Sequence, residues 1–154
     1  MNRQLYHGWD FPAMPDFDMM MTAHNVAKDP KLAPVLKKAG CTVHVGSVFT
    51  TDYFYHPQED QVFHSLGKHN ILGLEMETAA LYGMAPQHGA KVLSMVTVTD
   101  EIHLQNFDYK TGKFKNENDK YKFVDIPAEQ RETKCDCMAL LALNTAKRII
   151  QKKE

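Results

Sequence analysis

The stretch KVLSMVTVTD (Lys91 to Asp100) constrains the fold of this chain more than any other. It is nearly continuously apolar and rich in β-branched residues, the pattern of a strand covered on both faces. Such a strand needs a layer above and a layer below it, and the flanking patterns supply helices for both. Pro15 and Asp16 open a helical pattern, DFDMMMTAHNVAKD, with Phe17, Met20, Met21 and Val26 roughly on one face. DPKLAP breaks it, and a shorter helix follows before Gly40. CTVHVGSVF alternates around β-branched residues and reads as a strand, QEDQVFHSLGKH as a short helix, and NILGLEM as an extended apolar run. From about Glu77 to His88 the pattern is helical, with Pro86 expected to kink or end it. Pro127 suits the first turn of a final helix running to about Gln151, with Met138, Leu141, Ala142, Thr145 and Ile149 as its buried stripe. Helices alternating with apolar strands predict an α/β layered fold, a mixed β-sheet flanked by helices, in a single domain over residues 1–154.

The bulk numbers exclude several classes of function. A chain of 154 residues, 44% hydrophobic and 24% charged, is long enough for one real core. A formal net charge of −1 with no basic block argues against a nucleic-acid partner. No apolar run reaches membrane-spanning length, and the N-terminal stretch lacks the apolar core of a signal peptide. The 3 cysteines form an odd, sparse set and not a disulfide framework. These features predict a cytoplasmic protein. The segment LQNFDYKTGKFKNENDKYKF breaks the composition: it is polar, lysine-rich and without clear periodicity, so residues 104–124 are expected to form an inserted loop or lid.

Two carboxylates stand out in ILGLEMETAALYG, where Glu75 and Glu77 flank Met76 just after an apolar run. By residue type alone they fit solvated charges at a helix start, favoured there by the helix dipole. Asp100, at the end of the apolar strand, fits a strand-end or turn residue. Phe54 and Tyr55 fit core or interface aromatics, and Arg131 a surface residue of a first helical turn. Cys135, Asp136 and Cys137 lack the further ligands that a zinc site needs, and cysteines two apart on a helix face different ways, so no metal site is expected.

The stretches MNRQLYHGWDFPAMPDFDMM, GSVFTTDYFYHP, ILGLEMETAALYG, VTVTDEI and AEQRETKCDCM together resemble the hexameric, bacterial type of purine nucleoside phosphorylase, in the wider nucleoside phosphorylase superfamily. They occur in the family's order and span nearly the whole chain. The resemblance implies the C-terminal portion of that α/β fold, and a site in which Phe54 and Tyr55 flank the purine ring. It also implies that Glu75, Met76 and Glu77 form the ribose-gripping segment, with Glu77 on the hydroxyls. Asp100 would protonate the purine at N7, and Arg131 would swing toward Asp100 as the last helix rearranges. The implied reaction is phosphorolysis of a purine nucleoside to base and ribose 1-phosphate, with phosphate as co-substrate and no metal or organic cofactor. Family members assemble as hexamers, so a homo-oligomer is an implied partner state.

The residue types suit that chemistry. Breaking the ribose C1′ bond to a purine nitrogen leaves negative charge on the base, which a protonated carboxylic acid can neutralise as it departs. A carboxylate across two ribose hydroxyls makes two charge-assisted hydrogen bonds, and a methionine gives an adaptable apolar wall.

The chain also departs from the family's pattern. Met1 aligns past the midpoint of the family's chain, and the family's glycine-rich phosphate loop and phosphate-binding arginines have no counterpart among Arg3, Arg131 and Arg148. Apolar faces and strand edges are therefore expected to lie uncovered. The long polar segment intervenes between Asp100 and Arg131, and Glu101 follows Asp100, where it either raises the pKa of its neighbour or points to solvent. Three further readings stand beside phosphorolysis by this chain: a non-catalytic remnant that binds nucleoside weakly or associates with full-length relatives, a protein completed by a complementary N-terminal half, and a nucleosidase using water.

Overall fold

The computed structural model describes residues 3–6, 9–103, 107–108, 113–115 and 122–152. Along the chain run β1 (Arg3–Tyr6), β2 (Trp9–Pro12), α1 (Phe17–Ala27), α2 (Ala33–Lys38), β3 (Val48–Thr50), α3 (Glu59–Lys68), β4 (Gly73–Glu75), α4 (Thr78–Gln87), β5 (Asp100–His103), β6 (Phe107–Asp108), β7 (Lys113–Phe114), β8 (Lys122–Asp125) and α5 (Ala128–Gln151). The chain is α/β, as expected. Parallel and antiparallel pairing are both present, but spread over four two-stranded sheets: β3–β4 is parallel, while β1–β2, β5–β8 and β6–β7 are antiparallel. The chain divides into two compact units, one of Met1–Val45, Glu77–Thr97 and Pro127–Glu154, the other of Gly46–Met76 and Val98–Ile126. No helix among the described residues is long and apolar enough to cross a membrane.

In the first unit, α1, α2 and α5 converge on a small core of Val26, Leu32, Leu36 and Leu141. The α1 helix starts where the sequence requires. Asp16 takes the N-cap position with extended backbone, and its carboxylate accepts the Met19 N–H at 2.9 Å while also pairing with Lys91 at 3.0 Å. The buried side of α1 is Thr22 and Val26, one turn apart, and not the side led by Phe17, which is 67% exposed. Phe17 stands five residues from Thr22, about 140° round the helix, so the two cannot face the same neighbour. The α5 stripe follows the expected spacing, with Leu141 and Thr145 buried and Met138, Ala142 and Ile149 half-buried. The α2 helix closes on Gly40 at φ 71°, and the Cys41 N–H bonds back to the Leu36 carbonyl at 2.9 Å. This paired C-terminal turn favours a residue without Cβ at Gly40. It also delivers Cys41 to α5, where it forms a disulfide with Cys137. The odd cysteine set therefore contains one bridge, leaving Cys135 as the exposed free thiol.

The Met19 N–H bond, followed by the Lys91 ammonium, holds the Asp16 carboxyl below its ordinary pKa. A depressed carboxylate pKa stabilises the fold above the unfolded-chain value and ceases to do so as pH falls through the folded value. Asp16→Ala is therefore expected to lower the melting temperature at neutral pH. The gap to wild type should close as melts are taken to pH below the usual carboxylate range, and a gap independent of pH would refute the capping role.

The stretch Lys91–Thr99 differs from expectation. It has no ladder along its length among the described residues. Its backbone-to-backbone bonds among the described residues lie near its ends, from Asp16 N–H to Val92 O and from Ile126 N–H to Thr99 O. In the first unit only one side of it is covered, where Leu93 and Met95 join Met19, Met138 and Ala142 around an apolar cavity of about 310 Å³. Val96 and Val98 are 55% and 52% exposed. Hydrophobic composition specifies that a segment can be buried on two faces; a strand also needs a neighbour to take its N–H and C=O groups. The strand expected over CTVHVGSVF is likewise confined to β3, the part that pairs with β4.

In the second unit, β3 and β4 lie side by side in the register Val48↔Gly73, Phe49↔Leu74 and Thr50↔Glu75. A Cβ on Gly46 would sit 2.5 Å from Leu72 Cδ1, so glycine there admits the Leu72 side chain just before the pairing begins. β5 and β8 form the other described ladder of this unit beside the β6–β7 pair. Much of the expected 104–124 loop or lid lies outside the described residues. Within its described parts are β6, β7 and the start of β8, with Phe107 set opposite Phe114 in the register.

Candidate functional site

Five of the seven candidate residues belong to the second unit: Phe54, Tyr55, Glu75, Met76 and Asp100. Glu77 and Arg131 belong to the first.

The parallel β3–β4 pair ends at Thr50 and Glu75, directly opposite one another. The carboxyl edge of parallel strands is where α/β sheets present ligand-binding groups. Thr50 Oγ1 donates to Glu75 Oε1, and the Thr51 N–H donates to the Glu75 carbonyl at 3.0 Å. Both the side chain and the backbone of Glu75 are thus held by the strand beside it. Sequence reasoning did not single out Thr50, because nothing local connects positions 25 residues apart until the register is known.

The aromatic loop leaves from the same edge. Its start is turned by Thr51, whose hydroxyl accepts the Tyr53 N–H at 3.1 Å. Its end is fixed by His56, which donates its N–H to Glu59 at 2.9 Å and accepts the Gln58 N–H on Nδ1 at 3.0 Å. Between these anchors Phe54 and Tyr55 pack edge to face, with ring centroids 4.9 Å apart, and are 76% and 80% exposed. They are neither core residues nor buried, and large exposed aromatic faces on an anchored loop can stack on a planar ligand.

Met76 is 38% exposed. Glu77 takes the N-cap position of α4 without a side-chain cap bond, and its carbonyl accepts the Leu81 N–H at 3.1 Å. The start of α4 is pinned behind it. Thr78 is buried and bonds Ser94 at 3.0 Å, while the Ser94 N–H donates to the Tyr82 hydroxyl at 3.0 Å. A carboxylate at a helix start gains from the dipole, and here it also stands on a rigid base.

Asp100 opens β5 and accepts the Thr99 hydroxyl on Oδ2 at 2.6 Å. The β5–β8 register sets Asp125 opposite Asp100 and Val124 opposite Glu101. Successive side chains of a strand face opposite ways, so the carboxylate sharing a face with Asp100 is Asp125, and Glu101 falls on the other face. Asp125 lies across the polar segment from Asp100, and no sequence signal marked it. Arg131 is the fourth residue of α5, closing its first turn, half-buried, with its N–H on the Pro127 carbonyl at 3.0 Å. No cluster of three potential metal ligands occurs among the described residues.

Thr50→Val keeps the shape of residue 50 and removes its bond to Glu75. If Glu75 supports the ribose-gripping segment, nucleoside affinity should fall by about tenfold, the usual loss for a hydrogen bond to a charged group. Equilibrium dialysis with labelled inosine reads this directly, and an unchanged affinity would remove Glu75 from the site.

The family model described as the phosphorylase superfamily matches residues 3–125. Curated relatives are consistent with it. A protein of Colwellia psychrerythraea named purine nucleoside phosphorylase DeoD-type is 39% identical over 94% of this chain and 50% of its own length. Proteins of the same name are 42% identical in Bacillus subtilis, over 66% of this chain and 39% of the relative's own length, and 35% identical in Anoxybacillus flavithermus, over 95% of this chain and 50% of the relative. The chain thus spans about half the length, or less, of the relatives it matches.

Proposed function

Because the chain belongs to the phosphorylase superfamily, we propose that it carries the nucleoside-binding and acid-catalytic groups for phosphorolysis of purine nucleosides. In this reading Phe54 and Tyr55 flank the purine, Met76 walls the space between sugar and base, and Glu77 binds the 2′ and 3′ hydroxyls. Phosphate oxygen bonds to C1′ as the bond from C1′ to the purine nitrogen breaks. Asp100 gives its proton to N7 so that the base leaves neutral, and Arg131 supports Asp100. The products are the free base and ribose 1-phosphate, with no metal or organic cofactor required.

The observation that carries this reading is Glu75, held by Thr50 and the Thr51 N–H at the carboxyl edge of β3–β4, one residue from Met76 and two from Glu77. It lies within a stretch matched by the family model. Phosphate is held, in this reading, by a complementary N-terminal half or a neighbouring subunit of a homo-oligomer. Residues 1–154 count as one partial domain with 104–124 as its insertion, and the compartment is the cytoplasm.

A second reading is nucleoside binding without turnover. The purified chain, given inosine or adenosine with and without phosphate, separates the two. Release that requires phosphate means the chain builds an anion site of its own. Release without phosphate means water is the acceptor. Binding without release supports the second reading, and absence of both binding and release would refute the nucleoside site.

A further inference from the structure

The first unit has another concavity, lined by none of the residues assigned above. It is a groove of about 560 Å³ between the last turn of α1, the α2 helix and the segment Cys41–Val45. Its lining includes four basic side chains, His24 and Lys28 from the end of α1, Lys37 from α2 and His44 beyond it, over an apolar floor that includes Leu36 and Val43. No carboxylate lines it among the described residues.

The ordinary explanation for Lys28 and Lys37 is that cations favour helix C-termini. That explanation is weakened here, because the terminal carbonyls already have backbone partners. Lys28 N–H reaches Asn25 O, Asp29 N–H reaches Val26 O, Gly40 N–H reaches Lys37 O, and Cys41 N–H reaches Leu36 O. Asp29, the adjacent carboxylate, is taken by Arg148 at 3.0 Å. His24 sits in the last turn of α1, whereas His44 lies beyond α2 and answers to no helix end. None of the four basic side chains forms an ion pair among the described residues. Two lysines without a counter-charge among the described residues select an anion, an apolar floor selects a ligand with an apolar body, and the volume suits a small molecule. The Cys41–Cys137 bridge anchors one wall to α5, so little ordering is left for binding to impose.

We infer that this groove binds a small phosphomonoester with an apolar body, its phosphate between Lys28 and Lys37 and its body over Leu36 and Val43. The inference does not depend on the nucleoside reading.

Titration calorimetry of the whole chain with phenyl phosphate, inorganic phosphate and benzoate tests it. Phenyl phosphate is expected to bind about tenfold more tightly than either comparator, and less tightly at high salt. The double variant Lys28→Gln/Lys37→Gln should lose about tenfold or more in affinity while its thermal melt stays that of wild type. Val43→Ser should erase most of the preference over inorganic phosphate without weakening inorganic phosphate itself. No measurable binding of phenyl phosphate, or equal binding by the double variant, overturns the site. Equal affinity for inorganic phosphate overturns the apolar part of the assignment. Because no nucleoside is used, failure here leaves the nucleoside site standing, and the reverse also holds.

Discussion

Asp100→Asn is expected to slow release of the purine base by about 10²–10⁴-fold, the usual contribution of a positioned general acid. The amide keeps the shape of the carboxyl group and can still hydrogen-bond the base, so inosine affinity should change little. The loss should appear whether phosphate or water attacks C1′, because the leaving group needs its proton in either case. Coupled detection of hypoxanthine reads the rate. An equal loss of affinity and rate would make Asp100 a binding residue. An unchanged rate would remove it from the chemistry.

The strand register adds a control to that experiment. Asp125 lies opposite Asp100, whereas Glu101 falls on the other face. A group on the same face as Asp100 can reach what Asp100 reaches, and a group on the other face cannot. Asp125→Asn, on the same face, is therefore expected to lower the rate more than Glu101→Gln, with both variants read at one pH. The opposite ranking of the two variants would mean that the β5–β8 register is not the one in solution.

The second large effect concerns the disulfide. In oxidised protein, Cys41→Ser or reduction is expected to lower the melting temperature by about 10 °C. The bridge joins residues 96 apart in sequence with Cα atoms 6.8 Å from one another. For a loop of that size the chain-entropy model gives about 4–5 kcal/mol, and each kcal/mol is worth about 2–4 °C at this chain length. Both sulfur-bearing residues pack against the Val26, Leu32, Leu36 and Leu141 cluster, so unfolding of the core and release of the constraint coincide. Cys135→Ser, at an exposed free thiol, should leave the melt unchanged. Denatured without reductant, the chain should show one reactive thiol, against 3 after reduction. A cytoplasmic poise would favour the thiol pair, so thiol counts on protein handled without oxygen report which state the cell keeps. Three thiols without reductant, together with no thermal effect, would eliminate the bridge.

What the sequence by itself determined is local. Asp16 starts α1, Pro86 comes one residue before the end of α4, Pro127 precedes α5, and the spacing from Met138 to Ile149 marks the inward side of α5. Each of these depends on groups within a turn or two of each other, so a short window of residue types carries the whole cause. The family was legible for the same reason, in short runs such as ILGLEMETAALYG and VTVTDEI that the family model also covers. Tertiary structure alone decided which distant groups meet: Thr50 with Glu75, Asp125 with Asp100, Cys41 with Cys137. It also decided that KVLSMVTVT, apolar enough for two covered faces, has one side packed in the first unit and no ladder among the described residues. Pairing of that kind depends on closing a long stretch of chain and on competition among possible neighbours. Hydrophobicity shows that a segment can be buried, and only the assembled fold supplies the strand that pairs with it.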